Sequence, residues 1–176
     1  MLGRGCSSEP KDQTTMLDTR IISKTVLPDI ARTIARPRLI ERVTAATAAR
    51  VILITGQAAQ GKSTLAAEIA RQAGPSGAWM HLDADDSDPV NFFRLLVHAL
   101  KVAQPELDAS AFFKHPAISL GAESGLDRIM ERVGVLTQSI MVRTPVRLVL
   151  DGLENLTEDS GSLALVRRIR DAVIPP

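Results

Sequence analysis

"RVILITGQAAQGKSTLAAEIARQ", residues 50 to 72, holds three kinds of sequence in succession. The β-branched apolar run Val51 to Thr55 predicts a strand, and the glycine-framed residues that follow predict a loop. An alternation of apolar and polar residues at helical period then predicts a helix from Lys62 to about Ala73. Gly74-Pro75 is a typical helix end. The stretch therefore predicts a strand, loop and helix unit of a parallel α/β fold.

The loop fits the pattern G-x-x-x-x-G-K-[ST] in full, in the strand and helix context that this pattern requires. Its glycines let backbone N–H groups curl around a polyphosphate, and the helix start adds a positive end. We expect Lys62 to contact the β and γ phosphates, the Ser63 hydroxyl to bind magnesium, and Thr64 to reach the α phosphate. The predicted nucleotide-binding residues are Gly56, Gln57, Ala58, Ala59, Gln60, Gly61, Lys62, Ser63 and Thr64.

A second motif, "RLVLDGLENL", contains acidic residues. It places Asp151 at the carboxyl end of an apolar strand, where ligands of open α/β sheets bind. Mg²⁺ takes hard oxygen ligands and keeps most of its water, so a single carboxylate is sufficient, and Asp151 is the candidate. Glu154 is the nearest acid that could orient or deprotonate an attacking water. The alternative is that Asp151-Gly152 forms a strand-ending turn and Glu154 is merely solvated.

The rest of the chain alternates strands with helices, which predicts a parallel sheet. We expect residues 1–22 to form a mobile leader and residues 23–176 to form one domain. Pro105 to about Gly121 is weakly patterned and predicts a loop with a short helical piece. The predicted helices cover residues 37–48, 89–103, 122–142 and 160–174, and the further strands cover 77–83 and 145–151.

Composition narrows the function classes. The chain has 176 residues, of which 45% are hydrophobic, so it can bury one core without disulfides. A net charge of +1 and an aromatic content of 3% argue against nucleic-acid binding by this segment. The single cysteine, Cys6, favours a reducing, cytoplasmic setting, and no apolar run is long enough to span a bilayer.

Three further groups of polar residues could indicate a zinc site, a calcium site or a basic binding patch. The histidines lack zinc-ligand spacing, and the aspartate cluster lacks the glycine and the bidentate glutamate of a calcium hand, so helix capping explains it better. The arginine group is more typical of a solvated helix face than of a basic patch. These residues are His81, His98 and His115; Asp83, Asp85, Asp86 and Asp88; and Arg167, Arg168 and Arg170.

Four motifs in order resemble the ATPase module of STAND signal-transduction ATPases, especially NACHT proteins and the maltose-activator type of large LuxR-family transcription regulators. The resemblance covers roughly residues 24 to 176. The block that begins at Trp79 is its most specific part, whereas the phosphate loop is shared with every P-loop NTPase. The motifs are "IARPRLIERV", "VILITGQAAQGKSTLAAEIA", "AWMHLDADDSDPVNFFRLLVHAL" and "VRLVLDGLENL".

This resemblance implies a P-loop NTPase three-layer sandwich that binds ATP or ADP with Mg²⁺ as a regulatory switch, with slow hydrolysis and self-association. It implies that the segment Arg36-Pro37-Arg38 lies over the adenine, with Arg38 as a nucleotide contact. Asn155 stands where the family motif usually has a second acid, which predicts weak hydrolysis. Lys62 and Glu154 would be the catalytic residues.

The resemblance also implies that the sheet is incomplete at the C-terminus. In the family's sheet order, the absent strand runs between the phosphate-loop strand and the Asp151 strand, and regulatory domains would follow Pro176. Two other functions stay open. One is a small-molecule P-loop kinase, for which the loop is equally suitable; the other is a non-catalytic remnant or interaction module.

Overall fold

A computed structural model of the chain describes residues 19–46, 49–113, 124–142 and 145–174. Helical residues 19–25 are called α1 here. The strands are β1 (Gly77–His81) and β2 (Arg147–Asp151). The other helices are α2 (Pro37–Ala45), α3 (Lys62–Gln72), α4 (Pro89–Ala103), α5 (Ser110–Phe113), α6 (Ser124–Val142) and α7 (Gly161–Val173).

The two strands form a small parallel sheet. Gly77 lies opposite Arg147, and the register continues to His81 opposite Asp151. Since parallel strands need a crossover, the chain between them forms α4, α5 and α6 before it returns. Both carboxyl ends therefore meet at one edge of the sheet, as the alternation of strands and helices predicted.

Helices pack against both faces of this sheet. Because successive strand residues point to opposite faces, Trp79 packs against α3, whereas Ala78 and Met80 face the larger core. That core is made of apolar side chains from α4, α6 and α7 and includes Phe92, Phe93, Leu96, Val133 and Leu165. On the α3 face the partners of Trp79 are Ala66, Ala67 and Ala70, whose small side chains bring helix and sheet close together.

The helix ends follow local sequence signals. The Asp88 carboxylate caps α4 by accepting from the backbone N–H groups of Val90 and Asn91, and Pro89 occupies the first turn. Ser160 caps α7 by accepting from the amide of Leu163. The predicted helices over 62–73 and 89–103 are confirmed within a residue or so. Helix α2 ends at Ala45, earlier than the predicted residue 48.

The predicted strand over Val51 to Thr55 is wrong in this structure. Residues 51–57 belong to no helix and to no ladder, and Val51, Ile52 and Leu53 are exposed. A strand needs a neighbour that accepts and donates its backbone hydrogen bonds, and the described residues place β1 and β2 beside each other instead. Ile54 packs inward, against the apolar residues of α3.

The predicted leader also differs from the structure at its end. Residues 19–22 belong to α1, which packs through Ile21 against the main core. Residues 1–18, with Cys6, lie outside the described residues, as does His115. In the described part of the chain no helix combines the length and the apolar character needed to cross a bilayer.

Candidate functional site

The loop before α3 closes on itself through two side chains. The Lys62 ammonium donates to the carbonyl oxygens of Gly56 and Gln57 at 3.0 and 3.1 Å. The backbone N–H of Gln57 donates to Oε1 of the Gln60 side chain at 3.0 Å. Lys62 thus spans the loop from its first helical position, and its positive charge lies among the loop's backbone groups.

Backbone conformation explains two loop positions. Gly61, the residue before α3, has φ +73°, a left-handed conformation that a side chain rarely adopts. A Cβ atom at Gly61 would lie 3.0 Å from a guanidinium nitrogen of Arg36. Ala59 also has positive φ, at 61°. The chain therefore turns tightly into α3, and Arg36 lies directly against that turn.

Ser63 and Asp151 come together although they are far apart in sequence. The Ser63 hydroxyl, on the first turn of α3, donates to Oδ1 of Asp151, at the end of β2, over 2.6 Å. The Asp151 side chain is largely buried, at 14% exposure. The structure thus places the two predicted magnesium ligands side by side at the carboxyl edge of the sheet.

His81 joins this pair, which the sequence analysis missed. Its Nδ1 lies 3.0 Å from Oδ2 of Asp151, the carboxylate oxygen that Ser63 leaves free. The strand register places His81 directly opposite Asp151. The sequence carried a usable signal, because both residues lie at or near the carboxyl ends of apolar strands that were expected to be parallel.

The turn after Asp151 is fixed by backbone geometry. Gly152 has φ +81°, and a Cβ there would lie 2.6 Å from the carbonyl oxygen of Leu82. The Asn155 side chain donates to the same carbonyl at 2.9 Å. Asn155, which stands where the family motif usually has a second acid, therefore connects the two strand ends. Glu154 lies in the short 3₁₀ turn Leu153–Asn155 and is exposed.

A cleft of about 370 Å³ opens beside the phosphate loop. Its walls combine apolar side chains with the polar loop residues and with Arg36. Arg38, the predicted nucleotide contact, lies two residues after Arg36, in the first turn of α2, and is exposed. The lining residues are Arg36, Leu39, Ile54, Thr55, Gln60, Gly61, Lys62 and Leu65.

The aspartates that follow β1 cap helices, as predicted, and also form ion pairs. Asp83 and Asp86 make a reciprocal capping box around the 3₁₀ turn Ala84–Ser87. Lys24 of α1 lies 2.9 Å from Asp83 and 2.6 Å from Asp86, and Arg20 lies 2.5 Å from Asp85. These ion pairs attach α1 to the turn after β1.

The ion pairs between α1 and these aspartates shift the pKa values of Asp83 and Arg20. Partial burial acts to raise the pKa of Asp83, but the hydrogen bond and the positive charge of Lys24 outweigh it, so the pKa is lowered. The Asp85 carboxylate, through its hydrogen bond and charge, raises the pKa of Arg20.

A second cleft, of about 490 Å³, lies between α1 and the end of β1 and includes Trp79 and His81.

The other candidate residues have ordinary structural environments. Nδ1 of His98 lies 3.1 Å from the Thr25 hydroxyl, which joins α4 to α1. Arg167, Arg168 and Arg170 lie on α7, and Arg170 pairs with the adjacent Asp171. Among the residues that the structure describes, no three His, Cys, Asp or Glu side chains gather into a metal-binding cluster.

One comparison with known proteins gives a match. A family model described as an AAA domain matches residues 45–174, a range that includes the phosphate loop, both strands and Asp151. No curated protein and no solved structure shows a significant match to the chain.

Proposed function

This chain belongs to the AAA domain family, and on that premise we propose that it binds ATP and ADP with Mg²⁺ and works as a slow ATPase in a regulatory switch. The observation that carries the proposal is the contact between Ser63, at the start of α3, and Asp151, at the end of β2. That contact brings the residue that follows the loop lysine to the carboxylate at the sheet edge, which is the arrangement that P-loop NTPases use for magnesium.

The loop fits a polyphosphate in shape and in donors. Gly56 and Gly61 leave space where side chains would crowd Gln60 and Arg36, and the start of α3 presents N–H groups that have no partner within the helix. Lys62 brings a cation to the same place. We propose that the amides of Gly61, Lys62, Ser63 and Thr64 bind the phosphates and that Gln57, Ala58, Ala59 and Gln60 shape the loop around them.

The Ser63 and Asp151 oxygens are hard donors of the kind that Mg²⁺ prefers. When bound, Mg²⁺ would neutralise phosphate charge and polarise the terminal phosphoryl group. Because Mg²⁺ keeps most of its water, the remaining ligands would be water and phosphate oxygens. Ser63 and Asp151 are therefore sufficient from the protein side.

Glu154 is the residue that we propose as the one that positions the attacking water. It follows Asp151 by three residues and is exposed in a turn that Gly152 and Asn155 hold against β1. The Asn155 side chain already donates a hydrogen bond to the Leu82 carbonyl and carries no negative charge. With a single acid in this turn, we expect slow turnover, as suits a switch.

The cleft beside the loop suits the nucleoside. Leu39, Ile54 and Leu65 offer apolar surface, and Arg36 can stack on or donate to a base while it lies against Gly61. We propose that Arg36 makes the closer contact in this segment and that Arg38 lies further out over the adenine.

The switch role rests on the position of the site and on the motif resemblance. Ser63 links α3 to β2, and β2 is packed against the core that α4, α6 and α7 form, so a change at the phosphates would be transmitted to that core. We propose that the architecture is of the P-loop three-layer type and that the protein is a STAND-type module of a transcription regulator.

Lys62→Ala tests the nucleotide proposal. We expect ATP affinity, measured by titration calorimetry with Mg²⁺, to fall by at least about tenfold, because the ammonium is the loop's main positive charge. Lys101→Ala is the matched control, since Lys101 is an exposed lysine in the last turn of α4. Unchanged affinity in Lys62→Ala would overturn the proposal and favour a non-catalytic module.

Turnover separates the remaining alternatives. Release of inorganic phosphate from ATP in the absence of any acceptor, abolished by Glu154→Gln, is expected for an ATPase. Phosphoryl transfer to a small molecule, with little release to water, would instead indicate a kinase. ATP binding without either reaction, in both the parent protein and Glu154→Gln, would indicate a switch that does not hydrolyse.

A further inference from the structure

The carboxylate of Asp151 is held at both oxygens. Ser63 donates to Oδ1 at 2.6 Å, and His81 Nδ1 lies 3.0 Å from Oδ2. Since a carboxylate oxygen accepts, the hydrogen bond from His81 requires a proton on Nδ1. Each oxygen thus has one specific partner, and the two partners come from different elements.

The backbone around His81 is well fixed. His81 faces Asp151 in the ladder, and the Leu82 amide extends that ladder by donating to the Asp151 carbonyl at 2.8 Å. Trp79, two residues before His81, packs on α3, so the alternation of the strand directs His81 to the same face. The start of α3, which carries Ser63, lies on that face as well. The imidazole is therefore placed by the sheet and not by a loop.

We propose that His81 is a positioning residue for Asp151: its Nδ1–H fixes the carboxylate so that Oδ1 is directed to Ser63 and to the divalent cation. This inference rests on the proposed nucleotide function. Without a second hydrogen bond, the carboxylate can turn about its Cβ–Cγ bond, a torsion with broad preferences. Cation binding would then have to restrict that rotation.

The exposure of the His81 side chain sets the size of the expected loss in Mg²⁺ affinity. Loss of a residue that orients a metal ligand typically weakens metal binding by about ten- to a hundredfold. The His81 side chain is 53% exposed, so water can partly replace its hydrogen bond, and we expect the lower end of that range. Nucleotide binding without metal should not change, since His81 does not line the cleft beside the loop.

Two substitutions separate hydrogen bonding from packing. His81→Leu removes the donor at similar size, and His81→Asn retains a donor near the position of Nδ1. The readout is the Mg²⁺ concentration that gives half of the metal-dependent gain in ATP affinity, measured for all variants in the same buffer. ATP affinity in EDTA and the melting temperature are measured alongside.

We expect His81→Leu to raise the Mg²⁺ midpoint about tenfold, with ATP affinity in EDTA unchanged, and His81→Asn to stay within about threefold of the parent protein. His98→Leu is the control, because it removes a histidine whose contact is with Thr25. An unchanged midpoint in His81→Leu, or equal losses in His81→Leu and His81→Asn, would overturn the positioning role.

A nucleotide-free measurement separates this inference from the proposed function. In ¹⁵N-resolved NMR of the metal-free protein, we expect His81 to be the Nδ1–H tautomer. An Nε2–H tautomer would overturn the inference even if ATP binds well. Conversely, an Nδ1–H tautomer in a protein that binds no ATP would show that the hydrogen bond exists and that the proposed function fails.

Discussion

The sheet unit, meaning β1, β2, α4, α6 and α7, differs in construction from the phosphate-loop segment, residues 51–61. The sheet unit buries large side chains such as Phe92, Phe93 and Met80 completely. The phosphate-loop segment exposes Val51, Ile52 and Leu53 and is held by Ile54, by Lys62 and by its own backbone geometry. The first is specified by packing and the second by local conformation, and the contact of Ser63 with Asp151 joins them.

The largest expected contrast is between two apolar truncations. Phe93→Ala should lower the free energy of unfolding by about 3–5 kcal/mol, because it empties a fully buried site. Leu53→Ala should change it by less than about 0.5 kcal/mol, because Leu53 is 76% exposed. Urea unfolding monitored by circular dichroism measures both. A loss of about 2 kcal/mol or more in Leu53→Ala would show that this segment packs as a strand in solution.

The next contrast lies within α1. Lys24→Met should destabilise the protein by up to about 3 kcal/mol, because it leaves Asp86, whose side chain is 5% exposed, without its cation. Arg20→Met removes an exposed ion pair with Asp85 and should have little effect. Thermal unfolding of both variants tests the difference. Equal losses would mean that α1 is held by its apolar contacts and not by Lys24.

Glycine substitutions compare the turn after β2 with the turn after α3. Gly152→Ala should cost about 2 kcal/mol or more, since both the positive φ and the Leu82 carbonyl at 2.6 Å oppose a Cβ. Gly74 has a similar φ, +59°, but open space surrounds it, so Gly74→Ala should lower the free energy of unfolding by about 1 kcal/mol. Chemical denaturation measures the losses. We also expect only Gly152→Ala to weaken Mg²⁺-dependent ATP binding, because it displaces the residue next to Asp151.

The sequence predicted helices α2 to α7 and both ladder strands, but not α1, because the signals of those elements are local. Helical period, capping residues and apolar runs decide these elements, and α4 follows its predicted range. The strand over Val51 to Thr55 failed for a nonlocal reason. Its β-branched composition is suitable, but a ladder also needs a neighbouring strand, and composition does not reveal whether one is present.

The candidate site was predictable where one motif contains it. Lys62 and Ser63 follow from the loop pattern, and Asp151 follows from the end of its strand. The role of His81 depends on the register between two strands that lie far apart in the chain. Lys24 and Arg20 belong to a segment whose sequence gave no sign of its partners, the aspartates after β1. Pairings of this kind are set by tertiary structure.

The smallest expected effect is the acid sensitivity of Asp83. Its folded pKa lies below the ordinary value of 3.8, so the carboxylate contributes stability above that value, and the contribution is lost as the pH falls through the folded pKa. The groups that face Asp83 are Lys24, Arg20, Asp85 and Asp86. Asp83→Asn keeps an oxygen for the cap but does not titrate. The parent protein should therefore lose more stability than Asp83→Asn between about pH 5 and pH 3.

The change should be modest, because the Asp83 side chain is 39% exposed and water screens its charge. Melting temperatures across this pH range measure it. If Lys24 is the cause, then the difference between the parent protein and Asp83→Asn should shrink when Lys24→Met is introduced into both, since the cation that lowers the pKa is gone. If the difference persists in the Lys24→Met background, the effect comes from the hydrogen bond that the backbone N–H of Asp85 donates to the Asp83 carboxylate. The experiment therefore separates helix capping from ion pairing in this turn.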